Sequence, residues 1–503
     1  MMPNALQYRL KSIRARVTRN PLTTAFFLVG LVYCIAQAII QSFIFVADNR
    51  YNNFLSSIIH AAQVPPQNHT DLPNPAILQL EMCSFIPHDD KVCSIVFPLN
   101  SSYPASSTDT NERGEVLRSY LGHDGSQFSF NQSDNSLNIG SVILDETCIK
   151  TLLYPDQHFQ NARREDITLM VLQVWLFGIS VLAMCYDSVP HVLALLGARI
   201  LFTAWSIYAV WRTSNQQNVF HNIIEAPGTP CHAVLFPTYF QIRMHYQIPD
   251  LILNCTALAF TAYLSWALVK VFQDQSVKTV GAPKEINRMY KYYLALQVCL
   301  QLEAFVLMAW MGLWLDQFNN SYIRYITNHF KIYTAVFVWY AVFLGPWMLM
   351  GWWGIRLEKR ILTGVFIVMG LLFTSWAGIM FYSQVYRWTF YAWPFFGCFT
   401  VAALILLFAT FPLSIVCWRN FNKGLAQYLH AESVLASSHF ATEAFENDIE
   451  NVRAVPSRRS KKAFLDSDEQ LPTYYLPELR RSNSPSETAT LVSDDDEHVY
   501  RRS

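Results

Sequence analysis

Two residues in this sequence have the types and the placement for buried charge chemistry. The stretch SVPHVLALLGARILFTAWSIYAVW is apolar for long enough to cross a bilayer, yet Arg199 sits near its middle. The stretch YYLALQVCLQLEAFVLMAWMGLWL carries Glu303 near its own middle. A charge at that depth costs about 2.5–3.5 kcal/mol on insertion scales, and either interface is roughly 15 Å away. Each residue is therefore expected to need a partner. Opposite signs at matching depths make Arg199 and Glu303 the expected pair, with the guanidinium fork gripping the carboxylate. Gln173, Gln297, Gln301 and Asn254 are expected to complete a polar seam. In one reading the pair fixes which helices are neighbours. In the other it lines a cavity for a polar headgroup, an ion or a proton. The first is favoured.

Other chemistry is sparse. The sequence has no HExxH, no paired His boxes, no GxSxG, no P-loop and no CxxC. A membrane hydrolase or transferase would need His, Asp or Ser at one depth on several helices, and only one Arg and one Glu qualify. Neither an enzyme nor a bound cofactor or metal is expected. Formal net charge is zero, and no basic cluster is interleaved with stacking aromatics, so nucleic acid is not an expected partner.

The elements that must position Arg199 and Glu303 are read from hydropathy. Of the 503 residues 52% are hydrophobic and only 15% charged, which places the chain among multi-pass membrane proteins. Eight apolar runs reach the length of about 20 residues that a bilayer core requires: 24–47, 167–186, 189–211, 249–271, 292–315, 333–353, 361–382 and 388–417. The last carries Pro394 and Pro412 and is expected to tilt or kink. Basic residues precede the first run, but its apolar length and the missing small-x-small pattern predict a retained signal anchor. Trp211, Trp314, Trp352, Trp353 and Trp388 fall at run ends, as an aromatic belt would. Asp187 and His191 flank a tight turn, with Pro190 near the start of the following helix, where capping explains them better than catalysis.

Lys and Arg concentrate in the N-terminal arm, in 270–291, in the turn holding Arg356, Lys359 and Arg360, and at Arg419 and Lys423. The alternate connections hold only Arg212 and Arg243, then Arg324 and Lys331, then Arg387. The positive-inside rule then predicts both termini in the cytosol and the long 48–166 segment in a lumen or outside. Sequons at Asn68, Asn100 and Asn131 agree with that side. Those at Asn254 and Asn319 sit in or beside a helix and are discounted. Of ten cysteines, four lie in predicted lumenal loops: Cys83, Cys93, Cys148 and Cys231. Four cysteines allow three pairings. A local Cys83–Cys93 bridge is favoured, which leaves Cys148 for Cys231; free thiols are the alternative.

The expected fold is an all-α polytopic membrane protein of about eight transmembrane helices, with a small β-rich lumenal domain between the first two. Its divisions are a basic arm (1–23), the anchor (24–47), the glycosylated lumenal domain (48–166), a seven-helix bundle (167–418) and a cytosolic tail (419–503). The second lumenal loop, 212–248, is expected to be irregular. Beyond residue 445 the tail is polar, serine-rich and without apolar periodicity, so disorder is expected. It carries basic-directed and acid-directed phosphosite patterns at Ser460 and Ser493. Leu471, Pro472 and Tyr474 form an LPxY pattern, a docking motif for a WW-domain ubiquitin ligase or a sorting adaptor.

Seven segments carry a resemblance that covers the helical region from 167 to 425: SVPHVLALLGARILFTAWSIYAVW, IPDLILNCTALAFTAYLSWALVKVF, GAPKEINRMYKYYLALQVCLQLEAF, LWLDQ, GPWMLMGWWGIRLEKR, YRWTFYAWPFF and FNKGL. In order and spacing they resemble a family of fungal Golgi apparatus membrane proteins. The resemblance implies a multi-pass helical fold in the Golgi or a related membrane, endomembrane or plasma membrane, and carries no activity. The expectation is a non-enzymatic protein of trafficking, cargo sorting or membrane organisation, with the bilayer and a lumenal cargo as partners. A transporter or lipid-handling protein built on Arg199 and Glu303 is the first alternative, and a seven-helix receptor the second.

Overall fold

The computed structural model describes residues 21–72, 80–86, 93–97, 110–121, 128–186, 188–226, 228–280, 284–326 and 330–423. The basic arm up to residue 20, the sequon at Asn100, Asp187 and the tail motifs at Ser460, Leu471, Pro472, Tyr474 and Ser493 lie outside them.

Helix α1 (Pro21–Ala61) does not stop where its apolar run ends at residue 47. Tyr51, Phe54, Leu55 and Ile58 continue one apolar face at helical spacing, and all four are buried. The chain then passes through three short antiparallel strands, β1 (His69–Asp71), β2 (Leu80–Cys83) and β3 (Cys93–Phe97), in the order β1-β2-β3. Helix α2 (Thr110–Ser119) precedes a second meander, β4 (Phe128–Asn131), β5 (Ser136–Ile139) and β6 (Val142–Leu144). A two-residue turn joins β5 to β6, and Gly140 supplies the positive φ of 57° that such a turn demands.

Helix α3 (Glu146–Cys185) starts 21 residues before the apolar run at 167, and α4 (Val189–Phe220) runs on into one π-helical turn (His221–Glu225). Helix α5 (Pro237–Val280) likewise begins well before its apolar run. These extensions replace the irregular loop expected at 212–248 with helix over most of its length. They exist because they share a core with the strands: Leu55 and Ile58 of α1, Leu137 and Leu144 of the second sheet, Leu152 and Phe159 of α3, Phe220 of α4, and Phe236 beside Tyr239 of α5 pack together. Among its described residues, the region between the first two apolar runs is thus a cap that is about half helical, not predominantly β.

The remaining helices are α6 (Lys284–Asn319), the single turn α7 (Ile323–Ile326), α8 (Phe330–Arg356), α9 (Arg360–Met380), α10 (Gln384–Ala392) and α11 (Pro394–Arg419). The run at 388–417 is split where its proline predicts trouble. Pro394 opens α11, where its missing N–H is no loss, and holds Trp393 in an extended conformation that ends α10. Among the described residues, eight helices, α1, α3–α6, α8, α9 and α11, are long and apolar enough to cross a membrane. They pack as two sets. Helix α1 lies on α3 and α5, and α4 on α3 and α5; α6 lies on α11 and α8, with α9 against α8 and α11. The α4–α6 contact is the broadest link between the sets.

Candidate functional site: two buried polar layers

The two sets of helices explain what becomes of Arg199 and Glu303. Arg199, 4% exposed, faces α1 and α3: its Nη1 donates to Gln37 Oε1 at 2.8 Å and to Gln173 Oε1 at 3.4 Å. Gln37 passes its own amide N–H to Asn254 Oδ1. Asn254 donates in turn to Ser206 Oγ at 2.9 Å and to Asp250 Oδ2 at 3.0 Å. The expected guanidinium–carboxylate pair is therefore replaced by a relay, Arg199–Gln37–Asn254–Asp250, whose only carboxylate is Asp250 of α5. Gln37, Gln173 and Asn254 are all fully buried. Neither Gln37 nor Asp250 was expected in the seam.

Glu303 belongs to the other set. It is fully buried on α6 and accepts one hydrogen bond, from Thr410 Oγ1 of α11 at 2.6 Å, while its Oε2 has no hydrogen-bond partner among the described residues. The expectation that Arg199 and Glu303 pair is corrected here: equal depth is not adjacency, and their helix faces point to different neighbours. Gln297 and Gln301, expected in the seam, lie on α6, and among the described residues Gln297 Nε2 and both polar atoms of Gln301 have no hydrogen-bond partner. Gln173 and Asn254 do join it. A cavity beside Arg199, lined by Tyr33, Ser180, Leu195 and Thr261, holds about 10 Å³, the room of a single water.

A denser layer crosses the helix ends on the cap side. Arg243 of α5 donates to Asp48 of α1, and Tyr239 Oη donates to the second carboxylate oxygen at 2.9 Å. Arg212 of α4 grips Glu165 of α3 with two nitrogens, at 2.9 and 2.5 Å, and Trp393 Nε1 donates to the same carboxylate at 2.7 Å. The Arg212 guanidinium also lies 5.3 Å from the Trp205 ring. Arg164 Nε meets Asp316 of α6 at 2.5 Å and donates to Gln317 besides. Asp166 is buried beside Asp48. The six paired residues bind α1 to α5, α3 to α4 and α3 to α6. Glu165 and Arg212 each stand roughly 30–35 Å along their helices from the shared Cys185–Val189 turn, about one bilayer core away.

Sequence reasoning placed these charges in loops. The signal that could have found them is positional: Asp48, Arg164, Glu165, Asp166, Arg212, Arg243 and Asp316 all flank apolar runs at the same end, four acids beside three bases.

Above this layer two disulfides fix the cap. Cys83–Cys93 closes the β2–β3 hairpin, and Cys148–Cys231 joins α3 to the segment between α4 and α5. Glu81 lies within 4.8 Å of the first pair, but bonded sulfurs offer no thiolate to a metal. Cys34, Cys185, Cys255, Cys299, Cys398 and Cys417 take no part in a disulfide among the described residues. His69 of β1 stacks on Tyr322 at 4.8 Å and meets Trp388 edge-on, which ties the cap to the second set of helices. At the opposite end His191 Nδ1 contacts Ser188 Oγ at 2.8 Å and the ring packs on Trp352. Trp314, expected in an aromatic belt, is instead a core residue between Phe337, Tyr386 and Phe396. Burial pushes the Tyr386 hydroxyl up to about 12, so it stays neutral and can accept from Trp310 Nε1 at 3.0 Å.

Comparison of the chain with family models, with curated proteins and with solved structures finds no match.

Proposed function

We propose that the chain is a non-enzymatic, multi-pass protein of the Golgi apparatus or a related endomembrane, working in trafficking, cargo sorting or membrane organisation. Both termini lie in the cytosol. The cap faces the lumen and makes the contacts with cargo, and the tail reports to cytosolic adaptors or a WW-domain ligase. The observation that carries this reading is the shared core: the cap is built from the continuations of α1, α3, α4 and α5, locked by the ionic layer and by Cys148–Cys231. A ligand held by the cap is thereby held by the helices themselves. The compartment is supported by the seven resembling segments, and the orientation by the basic residues at the α8–α9 turn and after α11. Arg199 and Glu303 hydrogen-bond to different helices, which favours this reading over a midplane transport site built on the pair.

The test is a cell line lacking the chain, in which membrane proteins recovered from Golgi and post-Golgi fractions are quantified by mass spectrometry. A subset of cargo should redistribute, and return with the intact chain but not with one truncated after residue 423. An unchanged protein distribution accompanied by a changed lipid class would overturn the reading in favour of lipid handling.

A further inference from the structure

The end of α8, the turn into α9 and the chain leaving α11 meet at one place. The Asn422 amide donates to Glu358 Oε2 at 3.0 Å, across 64 residues of sequence. That contact gathers Arg356, Lys359, Arg360, Arg419 and Lys423, all exposed. None of the five is in an ion pair among the described residues. Glu358 is the only carboxylate in segments 353–361 and 417–423, one acid beside five bases.

Two further features narrow what could balance that excess. The first turn of α9 holds no acidic residue, and its N-cap, Lys359, makes no side-chain capping bond. The positive end of the dipole of a 21-residue helix is therefore flanked by cations where carboxylates would be favourable. Beside them lie exposed apolar side chains: Trp353 at 56%, Leu357 at 57%, Ile361 at 85% and Trp418 at 42%. Cations alternating with bare apolar side chains at the end of an apolar helix fit an interface, phosphate on one side and hydrocarbon on the other.

We propose that this patch binds an anionic phospholipid whose headgroup carries a phosphate monoester, with the phosphate at the α9 N-terminus between Lys359 and Arg360. Arg356, Arg419 and Lys423 surround the headgroup, and the acyl chains run along Leu357 and Ile361. The inference rests on the membrane-spanning reading above, not on the trafficking role.

The experiment is native mass spectrometry of the purified full chain in detergent, titrated separately with a phosphatidylinositol monophosphate, with phosphatidylcholine and with a soluble inositol phosphate. The monophosphate lipid should bind far more tightly than the other two. Lys359→Gln, Arg360→Gln and Arg419→Gln together should weaken it about 100-fold, with an unchanged melting temperature. Should the triple variant not fold, Lys359→Gln alone should weaken binding about fivefold. Equal binding of phosphatidylcholine, or wild-type binding by a folded variant, overturns the proposal. So does equal binding of the soluble phosphate, which would make the site one for free anions. The readout uses isolated protein, so its failure is distinct from failure of the cargo experiment.

Discussion

Asp48 and Arg243 form an ion pair closed off from solvent, joining the first apolar helix to the fourth of the eight apolar helices where both enter the cap. Tyr239 completes it, donating to Asp48 and accepting from Arg243 at 2.8 Å. Both carboxylate oxygens of Asp48 are thereby satisfied within the protein.

Removing one partner of such a pair strands the other. Arg243→Ala should destabilise the protein by about 3–5 kcal/mol, because Asp48 would be left buried and charged. The double variant Asp48→Asn with Arg243→Met should be closer to wild type than either single change. Thermal unfolding of the detergent-purified chain reads both. An Arg243→Ala protein melting at the wild-type temperature would mean that the pair does not hold α1 against α5.

The helices were legible in the sequence because the apolar signal for each is long and continuous. What was not legible is where each helix stops. Apolar length ends α1 at residue 47, but the face made by Tyr51, Phe54, Leu55 and Ile58 only becomes apolar burial once the cap exists to cover it. The same gap hid the ionic layer. Glu165 and Arg212 look like ordinary loop charges until α3 and α4 continue past the apolar runs and face each other.

The centre failed for a different reason. Hydropathy gives depth along a helix but not the direction a side chain points. Arg199 and Glu303 share a depth, yet one faces α1 and the other α11. Gln37 was invisible as a partner because a neutral amide in an apolar run looks incidental.

Charge reversal separates the two arrangements. Arg199→Glu would set a carboxylate against the oxygens of Gln37 and Gln173 and should not fold. Adding Glu303→Arg should not rescue it, since the new guanidinium would face Thr410. Glu303→Gln should be mild, within about 1 kcal/mol, because its amide oxygen can still accept from Thr410. Size-exclusion profiles of tagged variants are a sufficient measure. Recovery of a monodisperse peak by the double reversal would show that Arg199 and Glu303 touch after all.

The two disulfides should differ in worth. In the chain-entropy account a bridge spanning 83 residues removes about 4.5 kcal/mol of unfolded-state freedom, against about 2.7 kcal/mol for one spanning 10. Cys231→Ser should therefore lower the melting temperature more than Cys93→Ser. It should also expose the 226–236 segment to protease, since Cys231 and Ala233 are fully buried in the cap core. Equal losses from the two variants would place the stabilisation in local hairpin geometry instead.

Glycosylation tests the side on which the cap lies. Asn131 is exposed at the end of β4, and its side-chain oxygen accepts from both the amide and the hydroxyl of Ser133, at 3.2 and 2.7 Å. The acceptor asparagine and the hydroxyl of its sequon are thus already presented together on a turn that solvent reaches. Asn68 is partly buried beside Met82, and Asn254 is fully buried in the Arg199 relay. Asn131→Gln should remove one glycosidase-sensitive step in gel mobility, Asn68→Gln a smaller or partial one, and Asn254→Gln none. Since transferases act on the lumenal face, loss of a step at Asn131 places the cap there. If the wild-type chain shows no glycosidase-sensitive shift while Asn131 is exposed, the orientation inferred from the basic residues is wrong and the α8–α9 turn faces the lumen.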